Sequence, residues 1–114
     1  MHYALIFRAT RSLTAEELKQ RAEEIAAWVR HVQVTGITLD PRNLGEVAAN
    51  YSVDGNEVVS SEEPGDPRLG TIVFFDSPNR DDAVNIARMH PGLNYGVNVE
   101  VREWKSPRQT ASRQ

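Results

Sequence analysis

His90 is the first candidate for chemistry in this chain. It lies at the end of a predicted helix, on the inner face, and Pro91 follows it. A neutral imidazole beside a carboxylate can act as a general base at neutral pH, so His90 is our candidate catalytic residue. The structural alternative is a histidine at a helix C-terminus that hydrogen-bonds the carbonyls of the last turn. The sequence leaves both interpretations open.

Two arginines and several aromatic residues are candidates for substrate binding. Arg8 ends the first predicted strand, and Arg68 comes just before a later one. A guanidinium group can bind a carboxylate or phosphate through a bidentate fork, although a solvated surface arginine is the commoner case. Tyr3, from the first strand, joins them as a predicted substrate-binding residue. Aromatic residues line many small-molecule sites, but more often they belong to a core or a dimer interface. The other aromatic candidates are Trp28, Tyr51, Tyr95 and Trp104.

Patterns for metals, nucleotides and covalent catalysis are missing from the sequence. The 114 residues include no cysteine, and the three histidines show no His-x-His or His-x-x-x-His spacing. The glycines form no phosphate-binding loop, and there is no Gly-x-Ser-x-Gly elbow. We therefore expect no metal and no cofactor.

Charge and hydropathy narrow the choice of partners. The formal net charge is -3, so we expect no binding to nucleic acid or to an anionic membrane. No stretch approaches the roughly 20 apolar residues of a membrane span. Residues 1–8 lack the basic region and long apolar core of a signal peptide. With no cysteine for disulfides, we expect a cytoplasmic protein.

Hydrophobic periodicity predicts one α+β domain over residues 1–104, followed by a polar tail over 105–114. The predicted helices cover residues 15–35 and the segment between an Asp76 or Asn79 cap and Pro91–Gly92. The predicted strands cover residues 3–7, 47–53, 57–59, 70–75 and 97–104. Asp54–Gly55 is predicted to join the second and third strands as a hairpin. The acidic segment 60–68 is predicted to be a loop, and Asp40 to begin a turn before Pro41.

The first helix has the clearest signals. Thr14 and Glu17 form the pattern of a capping box. One predicted face carries the apolar side chains, namely Leu18, Ala22, Ile25, Ala26, Val29 and Val32. The helix is predicted to end at Gly36.

A homodimer is predicted from the sheet face that the helices leave uncovered. Both helices are predicted to lie on one face of a mainly antiparallel sheet. The other face is predicted to carry Tyr51, Phe74 or Phe75, and one row of Val97, Val99 and Val101. Apolar surface of that extent predicts two subunits with their sheets packed face to face.

Four stretches resemble the YCII-related (DGPF-domain) family. They read MHYALIFR, LTAEELKQRAEEIAAWVR, DGNEVV and ARMHPGLNYGVNVEVREW. The resemblance runs from Met1 to about Trp104, and HPG followed by Gly96 and VEVR is its most specific part. It implies a ferredoxin-like fold and a dimeric α/β barrel, and it matches His90 to the family's histidine. The family's Asp-Gly-Pro-Phe segment is missing, because residues 60–66 read SSEEPGD. The chain therefore resembles a divergent member, and no binding role is carried over for that loop.

The resemblance also frames the expectations for function. Family members resemble small enzymes of aromatic or lactone breakdown, and distant relatives use a His–Asp pair, for which Asp40, Asp66 and Asp76 are the candidate acids. One hypothesis is a dimeric enzyme in which His90 performs acid–base chemistry, an isomerisation or elimination, on a small organic acid. The alternative is a non-catalytic module that binds a small ligand or a protein, and the third possibility is a structural role.

Overall fold

Two helices and two antiparallel sheets form the described part of the chain, residues 1–108 of a computed structural model. The elements are β1 (His2–Ala9), α1 (Ala15–Val34), β2 (Asp40–Asn43), β3 (Asn50–Asp54), β4 (Glu57–Ser61), β5 (Leu69–Asp76), α2 (Arg80–Arg88), a 3₁₀-helix (Pro91–Tyr95) and β6 (Val97–Glu103). The predicted α+β class is confirmed. Residues 109–114 of the predicted polar tail lie outside the described residues. No helix within residues 1–108 is both long and apolar enough to cross a membrane.

The main sheet has four antiparallel strands in the order β2-β5-β1-β6. Leu5 of β1 lies between Val73 of β5 and Val101 of β6, and it is fully buried. Because side chains alternate along a strand, the odd-numbered residues of β1 share this face. Both helices pack on it, and the shared core contains Tyr3, Leu5, Phe7, Trp28, Val32, Val73, Phe75, Ala83, Ile86 and Ala87.

Helix α1 begins at the predicted capping box. The Thr14 hydroxyl accepts a hydrogen bond from the Glu17 N–H at 3.1 Å, and the Glu17 carboxylate accepts one from the Thr14 N–H at 3.1 Å. Two backbone donors of the first turn are thereby satisfied. The helix ends at Val34, one residue before the predicted end.

The buried face of α1 differs from the predicted one. Trp28 and Val32 are buried, whereas the remaining predicted face positions are exposed or half-buried; those exposed are Leu18, Ala22 and Ala26. The Trp28 indole N–H donates to the Ile86 carbonyl of α2 at 2.9 Å. Burial of a large indole whose N–H is hydrogen-bonded contributes more free energy than burial of two alanines. The helix is therefore rotated about its axis so that Trp28 faces the sheet.

Strand β2 occupies a segment that was predicted to be a turn. Asp40 to Asn43 pair with β5, so the prediction of a turn at Asp40 is wrong. The sequence DPRN carries no hydrophobic pattern, because all four residues are exposed at the edge of the sheet. An edge strand tolerates Pro41, since one side of it forms no ladder hydrogen bonds.

The face of the sheet opposite the helices is more polar than predicted. Val97, Val99 and Val101 pack against the core on the helix side, so their predicted place on the open face is wrong. Phe75 is buried in the core, and Phe74, its neighbour, lies on the open face. Pairing with β1 decides which side chains of β6 face the helices. The alternation of valines shows that one face of β6 is apolar, but it does not show which side of the sheet that face is on.

Strands β3 and β4 form a hairpin that is separate from the main sheet. The predicted hairpin is confirmed, and Gly55 takes the left-handed conformation in its turn, with φ of 64°. Tyr51 lies on this hairpin, so its predicted place on the open face of the main sheet is wrong. One side of the hairpin is apolar, and its side chains are 69–70% exposed; they are Tyr51, Val53 and Val58.

Removal of the N-cap tests how much α1 depends on its first turn. We expect Thr14→Ala to lower the free energy of unfolding by about 1 kcal/mol, because the Glu17 N–H loses its partner. Urea unfolding followed by circular dichroism measures this change. Thr38→Ala, at an exposed threonine outside any helix or strand, is the matched control and should change it little. An equal loss in both variants would contradict the role of the capping box.

Candidate functional site

A cavity of about 530 Å³ lies between α1 and the main sheet. Its volume is in the range of small-molecule sites. The apolar wall is made by Phe7, Ile25, Trp28, Val29, Leu39, Val73 and Val97. The charged and titratable side chains that line it are Arg21, Arg68 and His90. No carboxylate from residues 1–108 lines this cavity. Its uncharged polar side chains, Gln33, Asn43 and Thr71, can both donate and accept hydrogen bonds.

His90 reaches the cavity from a tight connection and not from a helix end. Helix α2 begins at its Asn79 cap, which decides between the two predicted caps, and it ends at Arg88. Pro91 disfavours helical backbone at the residue before it, and His90 accordingly has φ of −66° and ψ of 125°. The prediction that Pro91–Gly92 ends α2 is therefore wrong. These two residues begin the 3₁₀-helix that His90 caps.

The hydrogen bond of His90 fixes which ring nitrogen carries the proton. Nδ1 accepts from the Gly92 N–H at 3.0 Å, which is not the bonding to last-turn carbonyls expected of a helix-end histidine. The ring lies 4.6 Å from the Phe7 ring and 4.7 Å from the Trp28 ring, between centroids. Burial, with a smaller effect from the charge of Arg21, lowers the pKa of His90 to about 4. The imidazole is therefore neutral at pH 7, with its proton on Nε2.

The Nε2–H group of His90 is open to the cavity. It makes no hydrogen bond with residues 1–108, and within that range no fully buried side-chain nitrogen or oxygen lacks a partner. Nε2 is therefore not sealed in the core, and the cavity is the space that His90 lines. It offers a neutral hydrogen-bond donor inside an apolar wall.

Arg21 is a site residue that the sequence reasoning missed. It is half-buried on α1, lines the cavity, and makes no hydrogen bond or ion pair with residues 1–108. The signal was present, because position 21 precedes Ile25 and Trp28 by four and seven residues. A charged residue in that helical stripe faces the sheet.

The predicted arginines separate onto the two faces of the sheet. Arg68 lines the cavity together with His90, and its Nε donates to Asp66 at 3.3 Å. Arg8 lies on the open face, where it donates to Asp66 at 2.9 Å and to Glu100 at 2.7 Å. Hydrogen bonds from Arg8 first, and then from Arg68, hold the pKa of Asp66 below its usual range. Arg8 is therefore part of an ion-pair network and does not line the cavity.

Most of the predicted aromatic residues also lie outside the cavity. Tyr3 is buried in the core, with its ring 5.8 Å from that of Phe75 and its hydroxyl directed at the Met1 sulfur. Trp28 is the predicted aromatic that does line the cavity. Tyr95 donates its hydroxyl to Glu24, and Trp104 stacks on His2.

The candidate acids do not pair with His90. Asp40 bonds to Arg42, Asp66 bonds to Arg8 and Arg68, and Asp76 pairs with Nδ1 of His2 on the open face. The fold thus contains a His–Asp pair, but its histidine is His2, whereas the predicted dyad requires His90. Within residues 1–108, no group of three or more His, Cys, Asp or Glu side chains is placed to hold a metal ion.

The buried neutral His90 makes stability depend on pH. The unfolded chain takes up the proton near pH 6.5 and the folded chain near pH 4, so the unfolded state binds more protons between these values. We expect the free energy of unfolding to fall as pH drops through this window, by up to about 3 kcal/mol from this residue.

His90→Asn is the matched variant, since its amide oxygen can still accept from Gly92. Its urea-unfolding free energy should lose this part of the pH dependence between pH 7 and pH 4. The same pH slope in both proteins would show that His90 is not a buried neutral group.

No protein-family model and no curated protein matches this chain. The resemblance to the YCII-related family therefore rests on the sequence stretches quoted above.

Proposed function

We propose that this protein binds a small organic molecule in the cavity between α1 and the main sheet, and that His90 donates a hydrogen bond to an oxygen of that molecule. The supporting observation is the neutral His90 ring, whose Nε2–H is open to an apolar cavity of about 530 Å³. A few fixed polar groups in an apolar wall are typical of ligand sites.

The bonding of His90 favours binding over proton transfer. A general base needs a free lone pair, but Nδ1 already accepts from Gly92 and Nε2 carries the proton. A pKa of about 4 makes the ring a weak base at neutral pH. The described residues that line the cavity include no carboxylate to take its place. An isomerisation or elimination with His90 as the base is therefore the less supported hypothesis.

The proposal includes the fold family and the assembly that the sequence resemblance implies. The strand order β2-β5-β1-β6, with both helices packed on one face, supports a ferredoxin-like domain of the YCII-related type. Exposed apolar side chains support a homodimer, and one group of them, Tyr51, Val53 and Val58, lies together on one side of the hairpin. A cytoplasmic location is part of the proposal, and the absence of cysteine is compatible with it.

The homodimer can be tested on the two sides of the hairpin. We expect the protein to sediment as a dimer in analytical ultracentrifugation and Val58→Asp to shift it toward the monomer, since a charge would be buried on the apolar side. Val59→Asp, on the opposite side of the same strand, should leave the dimer intact. A monomeric wild-type protein would refute the proposed assembly.

Binding to the cavity can be tested with acetophenone, a neutral aromatic ketone whose oxygen accepts hydrogen bonds. We expect saturable shifts of the Trp28 indole and His90 ring signals in NMR titrations. Ile25→Trp should weaken them, because a larger side chain occupies part of the cavity that Ile25 lines.

Ala26→Trp is the matched control, because Ala26 is exposed on the same helix. It should bind acetophenone as the wild-type protein does, provided that circular dichroism shows both variants to be folded. An affinity for acetophenone that is unchanged in a folded Ile25→Trp protein would place the ligand outside the cavity.

A further inference from the structure

We propose that the ligand of this cavity is an organic acid with a flat apolar body, and that Arg21 binds its carboxylate. This inference rests on the proposed binding function and names the chemical class of the ligand. It also assigns anion recognition to a residue on α1, and not to Arg8 of the open face.

The guanidinium group of Arg21 is free because its neighbours on the helix are engaged elsewhere. Glu17, one turn before it, pairs with Arg11 at 2.9 Å and bonds to the Thr14 backbone. Glu24, nearly one turn after it, accepts from the Tyr95 hydroxyl. A half-buried cation without a partner is poorly solvated, so an incoming carboxylate gains a charge-assisted, bidentate hydrogen bond there.

Arg21 and His90 line the same cavity. The positive charge of Arg21 disfavours the protonated form of His90, and it adds to the effect of burial in lowering the pKa of that ring. Both line the cavity, and each presents N–H donors to it. These N–H donors, in a described lining without a carboxylate, favour a ligand group that accepts hydrogen bonds, and an ionised carboxylate is such a group.

The charge balance favours one negative charge on the ligand. Arg68 also lines the cavity, but its Nε is bonded to Asp66, which offsets its charge. Arg21 is thus the one arginine of the described lining that has no carboxylate partner. A phosphate or a polyanion would bring more charge into this apolar site than Arg21 can compensate.

The apolar wall favours a flat body next to the carboxylate. The rings of Phe7 and Trp28 both contact the His90 ring, and all three side chains line the cavity. Aromatic or unsaturated cyclic acids can contact these rings while the carboxylate reaches Arg21.

Benzoate and benzamide are the probes that test this inference, because they have the same shape and differ in charge. We expect benzoate to bind the wild-type protein at least about ten-fold more tightly than benzamide in calorimetric titrations. Arg21→Gln should remove this preference and keep benzamide binding. Arg30→Gln, at an exposed arginine of the same helix, should keep the preference.

A second measurement uses the unaltered protein, in case Arg21→Gln does not fold. Benzoate bound beside His90 should raise the pKa of the ring, as followed by NMR, and benzamide should not.

The outcomes separate this inference from the proposed function. Equal affinity for benzoate and benzamide, with both in the cavity, would refute the carboxylate class and leave small-molecule binding standing. A benzoate preference that survives in Arg21→Gln would refute the role of Arg21. No binding of benzoate, benzamide or acetophenone would refute the proposed function itself.

Discussion

The hydrogen bond from the Gly92 N–H to Nδ1 of His90 is the interaction on which the chemistry of the cavity depends. Pro91 holds His90 in extended backbone, and the chain then turns so that the Gly92 N–H meets the ring. A Cβ at position 92 would come within 2.9 Å of Nδ1 and 3.3 Å of the Val97 Cβ, so this turn requires glycine. The HPG sequence thereby makes His90 a hydrogen-bond donor toward the cavity.

Charged side chains are paired on one face of the main sheet and partly unpaired on the other. On the open face, Arg8 is neutralised by Asp66 and Glu100, and Glu100 also accepts from Arg102. Such exposed pairs contribute little to stability, but they leave no free charge for a ligand. On the helix face, the described lining of the cavity holds no carboxylate, and Arg21 keeps its charge free. This asymmetry supports the proposal that a ligand binds in the space between α1 and the main sheet.

Local signals in the sequence were sufficient for part of the fold. The Thr14–Glu17 capping box and the Gly55 turn depend on neighbouring residues, and both could be read directly. The exposed strand β2 has no hydrophobic pattern, so it could not be predicted from the sequence. The phase of Val97, Val99 and Val101 depends on pairing with β1, which is a long-range property. His90 could be predicted as a site residue from its HPG context, but its role depends on the Gly92 contact. Arg21 becomes a candidate only once Glu17 and Glu24 are seen to bond elsewhere.

The nitrogen NMR spectrum of His90 in the ligand-free protein at pH 7 tests the central claim most directly. Binding by a neutral Nε2–H donor predicts a protonated Nε2 and an unprotonated Nδ1 that accepts from Gly92. A doubly protonated ring, or a proton on Nδ1 with a free lone pair on Nε2, would contradict it. The second of these results would instead leave His90 able to act as a general base toward the cavity.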